Sequence, residues 1–304
     1  MKISPRTIGL VCGAIAAAAY GLNPLFAVPL YKFGLTPVMV LFFRFLLAAL
    51  MLLPVLLIKR IPLAVNRKEA WASCLGGALM VSSSLCLYSS FNHMDVGLAM
   101  TILFIYPVIV AGVMSGFFGE KLAWSTVASI ALALLGLAFI TCVGKPPRAS
   151  SITLTCVLLD LGSSFSYALY IVAVRKTAMH NMSSEKLTFY TVLFGTPMFF
   201  VLLRFGIDLT VPTAWAAWGY MIGMAFIPTI IALAFMAISI EKIGATPTAI
   251  LGVLEPVTGL LVGILLYGEK LTVFSISGIV LIFAAVMLVI VSDRKKINSC
   301  SNNL

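Results

Sequence analysis

The chain has 304 residues, 62% hydrophobic and 10% charged, with a mean hydropathy of +1.12 and a formal net charge of +10. That apolar excess excludes a soluble globular domain. The basic residues stand in short clusters between apolar runs, so the charge reads as membrane topology and not as nucleic-acid binding. The six cysteines include no CxxC pair and the two histidines lie in loops, so no disulfide, metal or other cofactor is expected.

Ten apolar runs follow one another, roughly 9–30, 36–58, 70–90, 95–117, 123–143, 152–175, 186–204, 214–238, 244–267 and 272–292, each near the about 20 residues that cross a bilayer. The first follows Lys2 and Arg6 as a signal peptide would, but it is too long for one and contains Asn23-Pro24, so it reads as an uncleaved helix. Tyr20 and Asn23 share one of its faces. In the second run Arg44 lies roughly 12 Å deep, where an arginine must snorkel, pair or meet water. The third carries Ser82, Ser83, Ser84 and Tyr88, which suit either helix-to-helix hydrogen bonds or a ligand. Tyr106 and Pro107 mark the middle of the fourth, whose Gly112 and Gly116 read as a close-packing face. Asp160, Ser163 and Tyr167 share a face of the sixth, with a helix-start role for Asp160 as open as a substrate contact.

The ninth run holds Glu255 and Pro256 at its middle. Glu255 follows Gly244 by 11 residues and precedes Tyr267 by 12, which sets it roughly 16 to 18 Å from either end. An acid at that depth is a functional-site hypothesis by default, against the plainer reading of a protonated, hydrogen-bonded kink. Pro107 and Pro256 are the expected hinge or packing residues.

With the N-terminus inside, 14 lysines and arginines fall on the cytoplasmic side and 5 on the outer side, with Arg44 within a span. This bias puts both termini in the cytoplasm of an inner or plasma membrane. The chain also repeats itself. Gly119-Glu120-Lys121-Leu122 recurs as Gly268-Glu269-Lys270-Leu271 at an offset of 149 (268 minus 119), which sets Tyr106-Pro107 on Glu255-Pro256. A weaker match at 147 sets Tyr20 beside Tyr167. Five spans per copy is odd, so the copies enter the membrane from opposite faces. The expected fold is therefore an all-α polytopic membrane protein of ten transmembrane helices in two inverted-topology five-helix repeats. The boundaries are a first repeat over 1–144, a linker over 145–151, a second repeat over 152–292 and a cytoplasmic polar tail over 293–304.

These two copies, each an apolar helix with a mid-span proline, then Gly-Glu-Lys-Leu, then another apolar helix, resemble the EamA repeats of the drug/metabolite transporter superfamily. The likeness is strongest over 91–141 and 240–292. Leu254-Glu255-Pro256-Val257 resembles the usual wording of the second repeat, and Leu159-Asp160 falls where the family often opens its sixth helix with an acid. Tyr20 and Tyr167 depart from it, standing where a tryptophan is common. The resemblance implies a ten-helix carrier with a central cavity and leaves the substrate open.

No HExxH, Gly-x-Ser-x-Gly, P-loop or dinucleotide fingerprint occurs, so an enzyme is not expected. The expected function is a secondary active transporter for a small polar or amphipathic metabolite, an amino acid or related compound, working by alternating access with proton coupling or exchange. A passive metabolite channel or uniporter and a drug exporter are the alternatives. Tyr20, Asn23, Arg44, Tyr88, Tyr106, Asp160, Tyr167 and Glu255 are the candidate substrate-binding residues, and Glu255 also the candidate for proton coupling. The expected partners are the small-molecule substrate and the lipid bilayer, without nucleic acid, around a monomer or weak homodimer.

Overall fold

The computed structural model describes residues 4–90, 99, 102–141, 154–267 and 272–301. Among them every regular element is helical. In chain order these are α1 (Pro5–Gly21), α2 (Asn23–Lys32), α3 (Pro37–Ile58), α4 (Arg67–Ser90), α5 (Tyr106–Phe118), α6 (Trp124–Thr141), α7 (Leu154–Lys176), α8 (Ser184–Leu202), α9 (Trp215–Ala225), α10 (Ala232–Ile243), α11 (Ala245–Leu251), α12 (Leu254–Tyr267) and α13 (Val273–Ser301). A π-helical segment, Phe226–Ile231, joins α9 to α10. Several starts are written locally. Ser4 and Thr36 accept from the backbone N–H groups of Thr7 and Met39 ahead of prolines at the first helical position, and Asn66 and Glu69 cap each other reciprocally before α4.

Among the described residues, six stretches are long and apolar enough to cross a membrane: Pro5–Lys32, Pro37–Ile58, Arg67–Ser90, Leu154–Lys176, Trp215–Ile243 and Ala245–Val262. Shorter apolar helices cover Tyr106–Phe118, Trp124–Ile140 and Val273–Val289. The tight hairpin between the eighth and ninth runs, which the sequence places at Ile240-Glu241-Lys242-Ile243, turns instead at Gly244: α10 stays helical through Ile243, and the φ of +93° at Gly244 is one an L side chain rarely adopts. Its counterpart at 91–94, the 145–151 connection and the second Gly-Glu-Lys-Leu lie outside the described residues. α13 continues as helix to Ser301, through part of the stretch expected as a polar tail.

Four of the apolar runs are interrupted midway. α1 gives way to α2 at Leu22, a turn at Phe104–Ile105 precedes α5, the π segment divides α9 from α10, and Gly252–Val253 divides α11 from α12. Each break has a proline within a few residues: Pro24, Pro107, Pro228 and Pro256. Proline withholds an N–H and frees a carbonyl, and inside a bilayer such backbone is tolerated only where protein or water satisfies it.

The packing treats the two halves alike. α1 lies on α10 as α4 lies on α7, while α3 pairs with α8 and α6 with α13. One end of the bundle gathers matched helices running opposite ways. α1 begins there, with Gly9 against Lys242 and Ile243 at the close of α10. α7 finishes there, with Lys176 over the Phe118 ring at the end of α5 and Arg175 donating to the Glu241 carbonyl. Lys59 pairs with Glu185 and Lys186 with Glu69 at the same end.

α6 and α13 meet through a reciprocal contact. A Cβ on Gly136 would lie 2.7 Å from the Gly278 carbonyl and 2.9 Å from Ile282, and a Cβ on Gly278 would lie 2.5 Å from the Gly136 carbonyl and 2.6 Å from Ile140. The expected packing face at Gly112 and Gly116 is not used: no described atom lies within 4 Å of a Cβ built at either. Spacing alone does not say which way a small-residue face points. Gly136→Leu or Gly278→Leu is expected to lower stability by about 1–3 kcal/mol, the range of overpacked cores, while Gly112→Leu stays within about 0.5 kcal/mol. Thermal unfolding in detergent measures both.

Candidate functional site

The interrupted helices converge on a cavity of about 20 Å³, room for about one water. Tyr20 from α1, Tyr106 from α5, Tyr167 from α7 and Glu255 from α12 line it, together with small residues of α1 and α10. Tyr106 and Glu255 occupy equivalent places, each in the first turn of the helix resumed after a break and each just before a proline. A helix N-terminus carries positive partial charge, which favours an acid at Glu255.

The rings form one assembly. Tyr20 stacks on Tyr167 with centroids 6.0 Å apart, and Tyr106 meets Tyr167 edge-on at 4.8 Å. Glycine makes the approach possible. A Cβ at Gly252 would collide with the Tyr106 hydroxyl, and one at Gly21 with the Glu255 carbonyl. Tyr167 donates to the Met236 sulfur at 3.4 Å. Glu255 is 7% exposed.

Beside this cavity stands a second cluster, centred on Arg44, which is 1% exposed. Its Nε donates to Thr229 Oγ1 at 2.6 Å, its Nη2 to the Pro228 carbonyl at 2.8 Å and its Nη1 to the Tyr88 hydroxyl at 3.3 Å. Thr229 in turn donates to the Met224 carbonyl at 2.9 Å. The guanidinium therefore holds the π segment by one carbonyl and one hydroxyl, and that hydroxyl reaches the carbonyl four residues before Pro228. Tyr88 donates onward to Asn23 Oδ1 at 3.4 Å, where α2 begins, and the Arg44 guanidinium carbon lies 5.6 Å from the Tyr20 ring centroid.

The eight candidate residues thus fall into three places. Tyr20, Tyr106, Tyr167 and Glu255 share the cavity. Asn23, Arg44 and Tyr88 form the hydrogen-bonded cluster next to it. Asp160 is elsewhere, fully buried between α7 and α4, where Ser90 donates to its Oδ1 at 2.6 Å and its Oδ2 has no partner among the described residues. Pro107 and Pro256 follow the breaks, as a hinge or packing role requires. Arg44 and Glu255, both candidate substrate contacts, differ in setting: Glu255 lines the cavity, and three Arg44 N–H groups are spent on protein oxygens. Sequence reasoning passed over Pro228 and Thr229, whose signal was a proline-hydroxyl pair in the middle of an apolar run. It also passed over Gly252, Met236 and Thr248 in the cavity wall.

The EamA-like transporter family matches this chain twice, over residues 7–142 and 154–291. Among curated proteins, the chain is similar to an uncharacterized transporter of Archaeoglobus fulgidus, 26% identical over 205 residues that span 66% of this chain and 69% of that one. It is also similar to the uncharacterized transporter YcbK of Bacillus subtilis, 23% identical over 285 residues that span 91% of each. A solved crystal structure superposes with a TM-score of 0.81 at 14% identity, covering 93% of this chain and 98% of the other. That likeness bears on the fold.

Gly252→Ala is expected to displace the Tyr106 hydroxyl and cut transport severalfold without preventing insertion. Adding Tyr106→Phe, which removes the colliding oxygen, is expected to restore part of the loss, as a double-mutant cycle on flux would record.

Proposed function

The chain belongs to the EamA-like transporter family, and we propose that it is a secondary active transporter that carries a small polar or amphipathic metabolite by alternating access. That it is a multi-pass membrane protein of a transporter family follows from the two family matches and the apolar helices. The observation that carries the finer reading is the central acid: Glu255 stands with three tyrosine rings where four interrupted helices meet. Such discontinuous helices are where carriers of this general design hold their substrates.

The chemistry of that centre suits an ammonium group against Glu255, with the substrate body on the rings. An amino acid or a related amine meets this description. Arg44 acts beside the site and not within it, holding the π segment and setting the Tyr20 ring. Glu255 is the residue at which a proton exchanges with substrate, because a carboxyl in a small, mostly apolar cavity binds a proton or a cation when water is excluded.

The repeats of this reading are residues 1–144 and 152–292, joined by 145–151 and followed by the tail 293–304. Their inversion is supported by the end of the bundle where α1 begins and α7 finishes. The cation clusters at that end support its assignment to the cytoplasm of an inner or plasma membrane, with both termini there. A cavity with room for about one water favours a carrier over an open channel.

A metabolite comparison of cells with and without the protein supplies the substrate, and flux in proteoliposomes under an imposed pH gradient supplies the test. Saturable flux accelerated by the gradient is expected. Glu255→Gln should abolish the acceleration, and undiminished pH-coupled flux in that variant would remove the proton role.

A further inference from the structure

The cavity is lopsided about the centre of the molecule. From Tyr20 and Glu255 it extends along α1 to Gly13 and along α11 to Thr248, toward the end where α1 begins. The two repeat offsets say which residues occupy the equivalent place on the other side. At 147, Gly13, Ala16 and Ala17 of α1 correspond to Asp160, Ser163 and Ser164 of α7 (160 minus 13). At 149, Ala232 and Leu233 of α10 correspond to Ser83 and Ser84 of α4 (232 minus 83).

Contacts confirm this register independently of sequence. A Cβ at Gly13 would lie 2.7 Å from Ser239 Oγ, and at the matched position Asp160 Oδ1 accepts from Ser90 at 2.6 Å, with Ser90 and Ser239 themselves 149 apart. The central residues exchange among themselves: Tyr20 with Tyr167, and Tyr106 with Glu255.

So the flank that is uncharged on one side, small residues of α1 against Leu233, Met236 and a Ser239–Thr248 hydroxyl pair 2.9 Å apart, carries an acid among its hydroxyls on the other. That second flank is now shut by its own hydrogen bonds. Ser163 donates to the Ser83 carbonyl at 2.8 Å, Ser164 to the carbonyls of Ile102 and Leu103 at 3.0 and 2.9 Å beside the break before α5, and Ser90 to Asp160. All four of these α7 and α4 donors and acceptors, Asp160, Ser163, Ser164 and Ser90, are fully buried, and Asp160 Oδ2 has no hydrogen-bond partner among the described residues. Packing as apolar as the rest of the core would have closed this flank without burying a carboxylate, which is costly in a bilayer.

We infer that Asp160, with Ser83 and Ser164, lines the substrate pathway in the oppositely facing state, and that Asp160 is there a second acceptor for a positively charged group entering from the outer side. The inference rests on the alternating-access reading above and deepens it. When α4 and α7 part, the seryl hydrogen bonds exchange to water and Asp160 meets the incoming ammonium before Glu255 does. When α1 and α10 part, the cytoplasmic flank opens between residues that carry no charge.

The test uses the full chain with its native cysteines replaced, in vesicles of known sidedness, and membrane-impermeant thiol reagents. Ala17→Cys should react from the cytoplasmic face and Ser164→Cys from the outer face. Gly13→Cys with Ser239→Cys, whose Cβ atoms would lie 3.5 Å apart, suits a disulfide that ties α1 to α10. That tie should silence Ala17→Cys and raise outer labelling of Ser164→Cys severalfold, reversibly on reduction. A cationic thiosulfonate should outpace an anionic one at Ser164→Cys, and Asp160→Asn should collapse the preference. Ser83→Cys gives the same readout should Ser164→Cys fold poorly. If Ala17→Cys responds as described while neither serine position is ever reached from outside, or the charge preference ignores Asp160, the inference is overturned and the carrier reading stands. If neither flank responds to the tie, both fall.

Discussion

A buried guanidinium and a broken helix complete one another in this protein, and the centre of the bundle depends on their meeting. An arginine at the midplane of a membrane helix costs about 2.5–3.5 kcal/mol on insertion scales, and more in other treatments. A carbonyl stranded by proline in the same setting is expensive for the opposite reason. Arg44 meets its own cost by donating to the Pro228 carbonyl and to Thr229, and the Thr229 hydroxyl in turn donates to the Met224 carbonyl, the one four residues before the proline. The pair ties α3 to the π segment, and Tyr88 passes the hydrogen-bond chain on to Asn23 at the head of α2. Two of the four breaks are thus braced by one side chain, which also lies against Tyr20 in the cavity wall.

Much of this was legible in the sequence, and for identifiable reasons. Hydrophobic runs of membrane length, prolines at their middles and a solitary acid are one-dimensional signals, so the positions of Tyr106, Glu255 and the breaks beside them could be read directly. The repeat added that Tyr106 and Glu255 are counterparts. What could not be read was partnership across helices. Arg44 meets residues 184 and 185 positions away, and nothing in either segment announces the other. Gly112 and Gly116 have the spacing of a packing face but turn it away from described atoms, while Gly136 and Gly278, which lack that spacing, make the close contact. The distribution of the polar candidates between a cavity, a brace and a distant acid needed three dimensions.

The exchange of equivalent residues explains why the centre has the composition it does. Under the proposed alternation, a site lying on the approximate symmetry between two repeats would be visited from both sides, so its lining should survive the exchange. Tyr20, Tyr167, Tyr106 and Glu255 form such a closed set. The tyrosines at 20 and 167 are identical, and the single asymmetry is one acid opposite one phenol. With an acid at both places, two like charges would be held close in a dry cavity; with none, a cation would have only ring faces to bind.

The flanks obey no such constraint, because each lines the route on one side only. Small residues of α1 pack against α10 in one, beside an uncharged Ser239–Thr248 hydrogen bond, whereas serines and Asp160 shut the other by an array of hydrogen bonds that includes a carboxylate. Under the proposed alternation, opening the first exposes apolar surface to water and opening the second frees hydroxyls and a carboxylate that water readily solvates. The two open states then differ in free energy and in affinity, and a substrate shifts the balance only as far as it binds one better than the other. Such differences set the concentration at which each face works. They leave the final gradient untouched, since on the proposed coupling that gradient depends on what exchanges at Glu255 and not on the asymmetry of the walls.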